Sequence, residues 1–165
     1  MSTLSRKCYA KTTILYLENP DIMEFKLSVS ADLSNLPVVR DFIQNAAGYA
    51  CNYEQFAYDI SLAVDELVTN VILHGYKGKP GEIEIEVQIK PPELVILLCD
   101  EAPPFDPTEV TVPDVHRPLE ERQIGGLGIY MARVLTDKMI YRRTPAGENL
   151  LTLLKRCPDY DTGPE

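Results

Sequence analysis

The sequence predicts a two-layer α/β sandwich, a mixed and mostly antiparallel sheet with helices over one face. Three observations lead there. Some segments place apolar residues at every second position and others at helical spacing, so strands and helices share one chain. Pairs of strands follow one another across short turns, which a doubly wound parallel sheet does not permit. Finally, 165 residues at 45% hydrophobic and 25% charged describe one domain able to bury a core without metals or disulfides.

The elements follow in order. Residues 12–17 form a candidate extra strand within an N-terminal extension, residues 1–21. From Met23, the residues Met23, Phe25, Leu27 and Val29 alternate with Glu24, Lys26, Ser28 and Ser30, a half-buried strand. A first helix comes next: Ser34 or Asn35 caps it, Pro37 suits its first turn, Val38, Val39, Phe42 and Ile43 make its stripe, and Gly48 ends it. The second helix opens near Asn52, which has capping-box spacing to Gln55. Phe56, Ile60, Ala63, Leu67 and Val71 carry it to Gly75.

Ile83, Ile85, Val87 and Ile89 interleave with Glu82, Glu84, Glu86 and Gln88 in a strand with one solvated face. Residues 94–99 are apolar throughout and read as a central strand. A proline-rich loop then leads to Gly125, Gly126, Leu127 and Gly128, which open a third helix ending near Thr136. Two last strands, residues 138–143 and 149–155, are joined by a hairpin turn at Pro145, Ala146 and Gly147. Residues 158–165 form a polar tail expected to be flexible.

Charge and composition exclude several classes. Sixteen basic against 25 acidic side chains give a net charge of −9, and no basic cluster is present, so direct nucleic-acid binding is not expected. No run approaches the ~20 apolar residues of a membrane helix, and the N-terminus lacks a signal peptide's apolar stretch. A cytoplasmic protein without a membrane partner is expected. Cys8, Cys51, Cys99 and Cys157 are scattered, without a CxxC pair or zinc spacing, and read as reduced, mostly buried thiols.

Glu66 and Asn70 stand one helical turn apart and point the same way. A carboxylate beside an amide oxygen suits a hard cation such as Mg²⁺, or a carboxylate held to accept a proton; taken alone, the pair reads first as a solvated helix face, and its surroundings change that reading. Asp100 ends the buried strand, where its carboxylate can accept a hydrogen bond from an adenine exocyclic amine, or serve only as a turn or cap residue. Glycines before a helix leave free amides and close backbone approach, which read equally as an anion or phosphate site and as a plain loop-to-helix junction. Arg122, just before them, is placed to meet a terminal phosphate, or to pair with Glu120 and Glu121. His74, at the helix end, reads as a capping residue. Neither a Walker A loop nor the HRD and DFG signatures of protein kinases occur.

In this order and context the chain resembles the GHKL ATPase superfamily and, within it, the anti-sigma factor serine-protein kinases of bacterial stress and sporulation control. Residues 65–77, with Asp65, Glu66, Asn70, His74 and Lys77, look like that group's N box; residues 100–107 and 125–131 look like its two glycine boxes. The likeness covers about residues 22–156, within a histidine-kinase-like ATPase domain taken as 22–157. It implies a Bergerat-type fold that binds ATP with Mg²⁺. Asn70 would hold the metal, Glu66 would act as general base toward an acceptor serine, and Asp100 would recognise adenine. Ala102 and Phe105 fall in the first box; Gly125, Gly126, Leu127 and Gly128 would shape the phosphate site; Arg122 would meet the γ-phosphate.

The resemblance also implies partners: an anti-anti-sigma protein that accepts the phosphoryl group on serine, a sigma factor, and a second copy in a homodimer. The chain departs from the pattern at Ala102 and Pro104, where relatives carry glycine, and at Glu148 and Asn149, where many carry threonine. Ala102 and Pro104 support a second reading, a non-catalytic module of the same fold that uses nucleotide, or nothing, to gate partner binding.

Overall fold

Alternation along the strands decides where the core lies. A computed structural model of the chain describes residues 13–16, 22–111 and 126–158. Strands β1 (Thr13–Tyr16), β2 (Met23–Ser30), β3 (Glu82–Lys90), β4 (Glu93–Asp100), β5 (Lys138–Arg143) and β6 (Asn149–Arg156) form one sheet. Their order is β1-β2-β3-β4-β6-β5. Each pairing is antiparallel, the antiparallel limit of the sheet expected from sequence.

Three helices cover one face: α1 (Leu36–Ala50), α2 (Glu54–Asn70) and α3 (Leu127–Leu135). Phe25, Leu27, Val29, Ile83, Ile85, Val87, Ile96 and Leu98 point from the strands into one core with Val39, Ile43, Ile60, Val64 and Leu67 of α1 and α2. Burial of those apolar faces holds the two layers together. A side-chain pair, Arg40 of α1 with Asp65 of α2, ties the helices further.

β4 lies between β3 and β6, as its apolar composition predicts, yet only one of its faces is covered. Leu94, Ile96 and Leu98 are buried, whereas Val95, Leu97 and Cys99 between them are half-buried on the outward face. A uniformly apolar run therefore marks a central strand here without a second helical layer.

Helix ends differ from the sequence expectation for local reasons. A 3₁₀ turn, Leu33–Asn35, precedes α1 and is capped by Asp32, whose carboxylate accepts from the Ser34 amide at 2.8 Å. Asn35 makes no cap; its side chain donates to Ser30 instead. Gly48 does not end α1, because Ala46, Ala47 and Ala50 keep its inner face packed for two more residues. Nor do Asn52 and Gln55 form a capping box: α2 starts at Glu54, and Gln55 donates to Asp59. Past Asn70 the helix continues as a π-helical turn, Val71–Tyr76, and stops at Lys77 and Gly78, both with positive φ.

The thiol expectation is corrected. Cys51, where α1 ends, and Cys157, where β6 ends, form a disulfide across 106 residues of sequence. Spacing along the chain gave no sign of it because the fold alone brings those ends together. Cys99 is half-buried and takes no part in that bridge, and Cys8 lies outside the described residues. Among the described residues no helix is long and apolar enough to cross a membrane.

Candidate functional site

The site is built where α2, α3 and the inner ends of β4 and β6 converge. On α2, the Asn70 side-chain nitrogen donates to the Glu66 carbonyl at 2.8 Å, which leaves its amide oxygen for another partner. The Glu66 carboxylate makes no hydrogen bond or ion pair with the described residues and reaches toward α3. It packs against Gly128 so closely that a Cβ there would lie 2.1 Å from Glu66 Oε2. A side chain at position 128 would displace that carboxylate. Gly126, with φ 83°, turns the chain into α3, and Leu127 begins the helix more than half exposed.

Asp100 ends β4 and is almost fully buried. Its Oδ1 accepts from the Ala102 amide at 2.9 Å and from the Asn149 side chain at 2.8 Å. Its Oδ2 has no partner among the described residues. Strand register places Asn149 directly opposite Asp100. Asn149 also donates to the Ala102 carbonyl at 3.0 Å, and its oxygen accepts from the Tyr141 hydroxyl at 2.8 Å and Arg143 Nη1 at 2.7 Å.

The loop after β4 is fastened on its other side by Tyr76. That hydroxyl donates to the Glu82 carbonyl and accepts from the Glu101 amide, both at 2.9 Å. Burial raises the Tyr76 phenol above its usual pKa, and the charge of Asp100 adds to the rise. Tyr76 lies flat over Gly81, where any Cβ would meet its ring. Ala102 meets Gly75 in the same way: a Cβ at Gly75 would stand 2.9 Å from the Ala102 methyl. The extra methyl at position 102 is therefore housed against the π-helical turn rather than thrust into open space.

These elements enclose a cavity of about 250 Å³. Its walls are mostly apolar, with Leu67, Val71, Leu98, Ile129 and Leu151, and its polar groups are few and convergent: Asn70, Asp100, Asn149, Tyr141, His74 and Lys77. Phe105, half exposed, and Pro103, Pro104 and Pro107 close one side. A greasy slot with a buried carboxylate at its end suits a flat heterocycle that offers a hydrogen-bond donor.

Of the residues singled out from sequence, Asn70, Asp100, Ala102 and Phe105 line the cavity. Glu66, Gly126, Leu127 and Gly128 gather at the α2–α3 junction beside it. Arg122 and Gly125 lie outside the described residues. Sequence reasoning missed Tyr76, Tyr141 and Arg143, and saw in Asn149 only a departure. The strand register that pairs Asn149 with Asp100 was the signal, and it exists only once β4 and β6 are paired.

Comparison with known proteins follows the same lines. Residues 29–155 match the family described as the histidine kinase-like ATPase domain. The chain belongs to that family. Its relatives include the serine-protein kinase RsbW of Bacillus cereus (strain B4264) and of Bacillus anthracis (strain CDC 684 / NRRL 3495). Each is 28% identical over 126 residues, which cover 73% of this chain and 77% of the relative. For a histidine kinase-like ATPase the nucleotide is ATP.

The oxygen donors also fit a divalent metal. Among the described residues no group of three or more His, Cys, Asp or Glu side chains could hold a metal alone. One amide oxygen, from Asn70, beside one unpaired carboxylate is what Mg²⁺ accepts when phosphates and water complete its shell.

Proposed function

We propose that the chain is an anti-sigma factor and serine-protein kinase that transfers the γ-phosphoryl group of ATP to a serine of an anti-anti-sigma protein and so controls access to a sigma factor. One observation carries this reading: Glu66, a carboxylate with no described partner, is held against Gly128 one turn from Asn70 and beside the cavity that ends in Asp100.

In this reading Asp100 Oδ2 accepts the exocyclic amine of adenine, and the apolar walls enclose the base. Asn70 presents its oxygen to Mg²⁺, and Gly126 and Gly128 let the phosphates approach the start of α3. Bound there, Mg²⁺-ATP supplies the phosphoryl group and the charge neutralisation that its transfer needs. Glu66 takes the proton of the acceptor serine hydroxyl as the serine oxygen bonds to the γ-phosphorus and the bond to the ADP oxygen breaks. By resemblance Arg122 is assigned to the γ-phosphate and Gly125 to the glycine box that binds the cofactor.

The second reading, a nucleotide-gated module without transfer, loses one of its supports. Ala102 is accommodated by Gly75 and still donates its amide to Asp100. The two readings part at Glu66→Ala. With a serine-bearing anti-anti-sigma protein and ATP, the kinase reading expects phosphorylation to fall by about 10²–10⁴-fold while partner binding persists. Unchanged phosphorylation in that variant would refute the role given to Glu66.

The reading extends to a homodimer. The outward sheet face carries Glu82, Glu84 and Glu86 on β3, an apolar band with Val95, Leu97 and Leu154 in the middle, and Lys138, Ile140 and Arg142 on β5. A two-fold axis along the strands sets the acidic strand of one copy over the basic strand of the other. Sedimentation equilibrium is expected to give twice the 18.6 kDa chain mass; a monomer at high concentration would contradict it.

A further inference from the structure

We propose that Asn149 and Arg143 form a clamp that positions Asp100 and thereby sets the preference for a 6-amino over a 6-oxo purine. The inference rests on the nucleotide-binding reading above and assigns its base selectivity to two residues that act through Asp100.

The orientation of the Asn149 side chain follows from its neighbours. A guanidinium has only donors, so the atom 2.7 Å from Arg143 Nη1 must be the Asn149 oxygen. The nitrogen then faces Asp100. Its two hydrogens go to Asp100 Oδ1 and to the Ala102 carbonyl, at 2.8 and 3.0 Å. The hydroxyl of Tyr141 fills the remaining lone pair of the oxygen. A buried carboxamide is thus fully satisfied, and the loop after β4 is pinned to β6.

Two consequences reach the cavity. Asp100 Oδ1 receives two donors, Ala102 N and Asn149 Nδ2, which fix the carboxylate's orientation, and Oδ2 stays as the acceptor without a partner among the described residues. In addition, Arg143 Nη1 lies 3.1 Å from the Ala102 carbonyl, so one cation grips both the loop and the residue that orients Asp100. A fixed acceptor pairs with the amine of a 6-amino purine and meets the oxygen of a 6-oxo purine lone pair to lone pair. A threonine at position 149 has a single hydrogen and could make only one of the two donations. The carboxamide takes over the fastening of a loop in which Ala102 and Pro104 replace more pliant glycines.

The test is a titration of the full chain with ATP and with GTP, each with Mg²⁺, together with melting temperatures without nucleotide. Wild type is expected to favour ATP by about 100-fold or more. Asn149→Ala is expected to cut that preference at least about tenfold, Asn149→Asp further because it sets a second carboxylate against Asp100, and Asn149→Thr to restore part of it by returning one hydrogen. Arg143→Met, at an exposed position, is expected to lower the preference as well, and reads the clamp should Asn149→Ala fail to fold. An ATP-to-GTP ratio unchanged in the folded variants, with only the melting temperature reduced, would overturn the clamp. Failure of wild type to bind either nucleotide is a different result, and it overturns the nucleotide-binding reading together with the clamp.

Discussion

At Gly128 the absence of one methyl group decides what Glu66 can do. A Cβ there would sit 2.1 Å from Glu66 Oε2 and 3.1 Å from its Cδ, so Gly128→Ala must swing the carboxylate away. Serine phosphorylation is expected to fall by about 10–100-fold, approaching the effect of Glu66→Gln, when initial rates are measured with saturating acceptor protein. A rate equal to wild type would mean that Glu66 need not occupy that place. Tyr76 gives a second residue-scale prediction. Its phenol pKa is raised above 10.0 by burial, so the folded state favours the protonated form. The stability this contributes is intact below the usual phenol value and is lost as pH climbs through the raised one. Denaturant unfolding from about pH 9 to pH 12 is expected to show wild type losing stability more steeply than Tyr76→Phe. That variant is expected to cost about 1–3 kcal/mol at neutral pH, because the Glu101 amide loses its acceptor.

At the scale of elements, the Cys51–Cys157 bridge fastens the α1–α2 connection to the end of β6. Closing a loop of 106 residues restricts the unfolded chain, so reduction is expected to cost about 2–5 kcal/mol and to lower the melting temperature by roughly 5–15 °C. Calorimetry with and without dithiothreitol, beside Cys51→Ser, measures it; identical curves would show that the bridge contributes nothing. The same connection shows what sequence reveals about elements. Period-two alternation located β2 and β3, and helical spacing located α2, because each has one face against the core and one in water. The ends were less legible. Asn35 and Asn52 have capping side chains, but Asn35 found Ser30 and α2 began two residues after Asn52. Gly48 stayed helical because packing outweighed its propensity.

On the scale of the whole molecule, residues read in isolation became a site through sheet register and helix packing. Glu66, Asn70 and Asp100 were visible as acids and amides at meaningful spacings. Their convergence was not, since α2 and β4 meet only in the folded core. Asn149 lies 49 residues from Asp100 and pairs with it across two neighbouring strands, a relation that no local pattern encodes. The outward apolar band was likewise hidden, because residues 94–99 look the same whether one face or both are covered.

The proposed kinase function requires ATP bound through Asp100 and a metal held by Asn70. Calorimetric titration of the full chain with ATP, with and without Mg²⁺, tests it most directly, with Asn70→Ala in parallel. Wild type is expected to bind ATP more tightly with Mg²⁺, and Asn70→Ala to show no response to Mg²⁺. No binding by wild type at millimolar ATP, or the same Mg²⁺ response in both proteins, would contradict it.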